Sequence, residues 1–83
     1  MKLLRYTFKP DTLHFERWQV VNDVIQLNMT LELRKLWREG GYMGIAASAA
    51  EYFGINRIYR NSQSFITFEF TEPQWTWFVL RWL

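Results

Sequence analysis

The chain has 83 residues, ten basic against eight acidic, a net charge of +2 and no cysteine. That length suits one domain, and the lack of cysteine excludes disulfides and thiolate metal sites. The charge is too even to argue for nucleic acid by itself.

Seven of the ten basic residues are arginine, which favours planar, specific contacts over a diffuse lysine field. A chain this short is near the lower limit for a core that holds itself together. Five Trp, seven Phe and four Tyr offset that limit, because each buries a large area with few rotatable bonds. Residues 1–5 contain no apolar run of signal-peptide length, so a cytoplasmic location is expected.

Residues 2–9 alternate loosely, with Leu4, Tyr6 and Phe8 on one side, and predict a strand. Pro10-Asp11 predicts a turn. Residues 13–21 and 24–33 predict a hairpin across Asn22-Asp23. In the second of these Ile25, Leu27, Met29, Leu31 and Leu33 alternate with polar residues without a break. The pairing sets Val20 opposite Ile25 and Trp18 opposite Leu27. A helix over 23–39 competes, since Asp23 with Gln26 resembles a capping box and 31–39 has good helix propensity. The strand is preferred because that helix scatters its apolar residues around the axis; residues 34–39 can still turn helical.

Gly40-Gly41 ends whatever precedes it. Residues 45–53 predict a helix whose packed face is Ala46, Ala49, Ala50 and Phe53, stopped by Gly54. Residues 55–60 and 64–71 predict a second hairpin across Asn61-Ser62-Gln63. In 64–71, Ile66, Phe68 and Phe70 take one sheet face. Thr71-Glu72-Pro73 then reads as a helix start, with a capping hydroxyl, an acid at the positive helix end and a proline in the first turn. Trp75, Phe78, Val79 and Trp82 fall on one helix face, expected to lie on the sheet. The expected fold is a single α+β domain over 1–83. Its antiparallel sheet, in the order β-β-β-α-β-β-α, packs with two helices.

Trp77 and Leu80 lie with Gln74 and Arg81 away from the packed stripe. Either the rest of the domain covers them, or they anchor an interface, where tryptophan and arginine are enriched. The apolar run is far too short to span a membrane, which takes about 20 residues.

No residue set carries catalysis. His14 is the single histidine, and on the hairpin it shares a face with Glu16; an acid–base role also needs a pocket and a third group. One histidine does not supply a zinc site. Ser48 lies in a helix without the elbow of a hydrolase nucleophile. Residues 40–44 are glycine-rich before a helix but lack the lysine and hydroxyl of a P-loop. No cofactor is expected.

Residues 49–57 resemble the first helix and turn of a helix-turn-helix, with Ala50 four residues before the turn glycine Gly54 and Ile55 after it. That resemblance implies DNA binding through a second helix. Here 56–60 departs from the motif, since Ile58 and Arg60 alternate with Arg57 and Tyr59 as in a strand. A second route to nucleic acid uses Arg34, Lys35, Arg38, Arg57 and Arg60 with Tyr59 and Trp37, through phosphate contacts and base stacking. Glu32, Glu39 and Glu51 among them fit a solvated mixed-charge face equally well.

The expected function is therefore a small non-enzymatic protein-interaction module. It acts stoichiometrically on a protein partner, or on a second copy of itself, through Trp77, Leu80, Arg81 and Trp37. Short aromatic-rich chains of this type are encoded by phages as inhibitors of host machinery. The alternative is a small nucleic-acid-binding protein.

Overall fold

A computed structural model of the chain describes residues 2–10, 13–31, 34–35 and 46–83. Among these, the elements in chain order are β1 (Leu3–Thr7), α1 (Phe15–Asn28), α2 (Ala46–Phe53), β2 (Arg57–Arg60), β3 (Ile66–Thr71) and α3 (Glu72–Trp82). The strands form one antiparallel sheet in the order β1-β3-β2. The α+β class and the antiparallel sheet are as expected.

The element order is not. The predicted hairpin over 13–33 is absent, and α1 runs straight through Asn22-Asp23. Its buried residues are Trp18, Val21, Val24 and Ile25, a stripe of helical period. Leu27, which the hairpin required to pack on Trp18, is 79% exposed. The competing helix over 23–39 also began too late. After α1 ends, Leu31, Arg34 and Lys35 are helical again. Leu33 and residues 36–39 lie outside the described residues, as do Asp11 of the predicted turn and 40–45.

The central strand organises the core. Phe68 and Phe70 on β3 are fully buried, with Tyr6 of β1 and Ile58 of β2 on the same face. The helices described here cover that face. Trp18 of α1 stacks on Phe68, and Trp75 and Phe78 of α3 meet Phe70 edge-on at 5.1 and 5.3 Å. Ala46, Ala49, Ala50 and Phe53 of α2 are all buried, as their spacing predicted. Each buried aromatic contributes on the order of 1.5–3 kcal/mol, and Tyr6, Trp18, Phe53, Phe68, Phe70 and Phe78 are all buried, which helps so short a chain to build a core.

The ends of the elements are set by local chemistry. α2 closes with a Schellman motif: Ile55 N–H donates to Ala50 C=O at 2.8 Å and Gly54 N–H to Glu51 C=O at 3.4 Å. Gly54 has φ +72°, which a side chain rarely adopts. In the β2–β3 turn, the Asn61 side-chain oxygen accepts from Gln63 and Phe65 N–H at 2.9 and 3.0 Å. Thr71 ends β3 and caps α3 at once. Its hydroxyl accepts from Gln74 N–H at 3.3 Å, and Gln74 Oε1 accepts from Thr71 N–H at 2.9 Å. With no loop between them, β3 fixes the direction in which α3 leaves the sheet.

Candidate functional site

That rigid junction determines which side of α3 faces outward. Phe78 is buried and Trp75, Val79 and Trp82 are half-buried beneath the helix. The outer ridge carries Trp77 and Leu80, 71% and 77% exposed, with Leu83 beyond them. Among the described residues nothing therefore covers Trp77 and Leu80. Arg81 lies beside the ridge, its guanidinium 5.1 Å from the Trp82 ring.

Between α2 and α3 runs an open groove of about 460 Å³. Tyr52 and Gly54 line one wall, and Trp77, Arg81 and Gln74 the other. Tyr52 is more than half exposed, yet its ring packs at 4.9 Å on Phe53 and at 6.3 Å on Trp82. The groove thus has an aromatic floor and two accessible rings at its rim, an arrangement suited to an inserted apolar or aromatic side chain. Tyr52 was not singled out from the sequence. Its place one residue off the alanine face is the signal that could have found it.

The outward face of the sheet is chemically different. Arg5, Glu69 and Arg57 stand directly opposite one another on β1, β3 and β2. Glu69 is 3% exposed. Its Oε1 accepts from Arg5 Nε at 3.1 Å and pairs with Arg57 Nη2 at 3.5 Å, while Oε2 accepts from Asn56 Nδ2 at 2.7 Å. Arg57 also lies over the Tyr59 ring at 4.0 Å. The hydrogen bond to Glu69 raises the Arg5 pKa above its ordinary value, with Tyr59 adding to the effect. Both arginine side chains remain about half exposed. Neither Arg5 nor Glu69 was read as a site residue, because strand alternation marks them only as a polar face.

The structure divides the residues considered for nucleic acid. Arg57 and Tyr59 share the outward sheet face. Arg60 belongs to the other face and donates to Ser64 C=O at 3.0 Å. Arg34 is turned onto Gln26 C=O in the last turn of α1, where it caps a helix end that has no basic residue of its own. Lys35 is exposed. Trp37 and Arg38 lie outside the described residues. The helix-turn-helix resemblance stops at Gly54, since Arg57–Arg60 is a strand.

His14 and Glu16 do not share a strand face, because the helix α1 begins at Phe15. His14 is the left-handed residue that precedes α1, with φ 73°, and its ring lies edge-on to Tyr6 at 5.8 Å. Among the described residues no three His, Asp or Glu side chains are grouped to hold a metal ion. No helix among them is long and apolar enough to cross a membrane. The chain matches no protein-family model, no curated protein and no solved structure.

Proposed function

We propose that this protein is a non-enzymatic binding module that engages a protein partner at fixed stoichiometry through the outer side of α3. The observation that supports this most is the exposure of Trp77, beside a groove, on a helix whose inner face already fills its share of the core. Fully burying a tryptophan removes on the order of 150–250 Å² from water. Moving the exposed part of Trp77 into a partner is thus worth on the order of 3 kcal/mol at about 25 cal/mol per Å². Leu80 extends the apolar ridge and Arg81 supplies a planar donor at its edge, the residue mix of an interface anchor.

In the narrower form of this proposal the partner is a host protein or defence complex and the consequence of binding is inhibition, as for phage-encoded proteins of similar size. A second copy of the chain is the other candidate partner for the same face.

The test is a capture from lysate with N-terminally tagged baits, wild type and Trp77→Ala/Arg81→Ala, each with nuclease. The expected result is one protein held at fixed stoichiometry by the wild type and lost from the variant. A solution mass of a multiple of 10.2 kDa, abolished by the same substitutions, assigns the face to self-association. Equal retention by both baits, or loss of all bound material with nuclease, overturns the proposal.

A further inference from the structure

We infer that the row Arg5–Glu69–Arg57 on the outward face of the sheet is a binding site for a phosphate group. This site is separate from the α3 surface and does not depend on it.

The argument begins with the cost of Glu69. A buried carboxylate needs its partners arranged around it, and an apolar residue of similar volume is often at least as stabilising. Its neighbour on the same face, Thr67, is equally buried and meets the same packing need with a hydroxyl, held at 3.1 Å from that of Thr7. What Glu69 adds is order in two arginines. Both heads converge on one carboxylate oxygen, and Asn56 secures the other. A free arginine side chain loses considerable rotamer entropy when it is fixed. At this site part of that loss is already met in the unliganded fold, which favours a ligand that needs both heads at once.

The chemistry of the heads selects the ligand. A guanidinium carries five N–H donors in a planar fork. Glu69 takes one nitrogen from each arginine, and both side chains are about half exposed. The three residues together carry a net charge of +1. A tetrahedral phosphate has enough oxygens to accept from two forks simultaneously, and such charge-assisted bonds are the strong ones. Tyr59 borders the same face, with the Arg57 guanidinium 4.0 Å from its ring centroid and the Tyr59 side chain also hydrogen-bonded to Arg5, so it touches both arginines. The phosphate can be free, terminal on a nucleotide, or part of a single-stranded backbone.

The experiment follows the arginine Nε–Hε NMR signals of the whole protein while inorganic phosphate replaces chloride at constant ionic strength. The Arg5 and Arg57 signals are expected to shift saturably while that of Arg81 stays still. Arg5→Gln and Arg57→Gln, each of which leaves Glu69 one cation and Asn56, are expected to weaken binding at least tenfold. Oligothymidylate with and without a 5′-phosphate then identifies the source. Preference for the phosphorylated strand indicates a terminal or free phosphate, and equal binding indicates the backbone. Shifts no larger than those of Arg81, or affinity unchanged in both variants, would overturn the inference.

Discussion

The indole of Trp18 lies stacked on the ring of Phe68, with centroids 5.5 Å apart and planes inclined by 22°. This contact joins α1 to the central strand, and Phe8 closes on the same indole at 4.7 Å. Trp18→Ala is expected to cost about 3–5 kcal/mol in urea unfolding, the range for a large aromatic removed from a core. Leu27→Ala, on the opposite side of α1, is expected to stay within about 0.5 kcal/mol of the parent. A hairpin would make the two residues partners with comparable costs, so the pair of measurements also tests the helix.

That segment shows where the sequence stops being legible. Ile25 to Leu33 alternates strictly, and the rule that reads alternation as a strand has no means of knowing that Leu27 and Leu31 are left in water. The true stripe, Trp18, Val21 and Ile25, crosses Asn22-Asp23, which reads as a turn only if the chain is cut there. Half-buried Asn22 and exposed Asp23 instead sit on the flank and outside of α1. By contrast α2, the second hairpin and α3 were legible, because period, cap and stop agree there. Alanine spacing meets a glycine stop at Gly54, and β3 alternation meets a threonine cap at Thr71. The outward direction of Trp77 followed from α3 periodicity alone. Its exposure did not, since that depends on what the other elements leave uncovered. The Arg5–Glu69–Arg57 row needs strand order and register, which no local pattern supplies.

The two end signals carry measurable weight. Thr71→Ala removes the capping hydroxyl at the point where β3 becomes α3, and is expected to cost about 1 kcal/mol. Gly54→Ala places a side chain at φ +72° with no atom within 4 Å of the new Cβ, so its cost is backbone strain alone, about 1–2 kcal/mol. Both follow from denaturant midpoints at unchanged m-value.

The outward sheet face makes a prediction about coupling. Arg5→Ala or Arg57→Ala alone leaves Glu69 with one cation and with Asn56, and is expected to lower the unfolding midpoint only slightly. Removing both leaves a buried carboxylate without a counter-charge, and is expected to lower the midpoint by more than the sum of the two single effects. The double-mutant cycle should therefore be clearly non-additive. Simple addition of the single effects would mean that Glu69 is rehydrated and the row is not a unit.

The α3 surface should separate binding from folding. Because Trp77 lies largely in water, Trp77→Ala is expected to leave the unfolding midpoint nearly unchanged, within about 0.5 kcal/mol of stability.

The most direct test of the interaction proposal is the dissociation constant of the captured partner, measured for the wild type and for Trp77→Ala. A loss of about 2 kcal/mol or more, roughly thirtyfold, at unchanged stability is predicted for an anchor residue. Affinity within about 0.5 kcal/mol of the parent would place the interface elsewhere on the molecule and contradict the account.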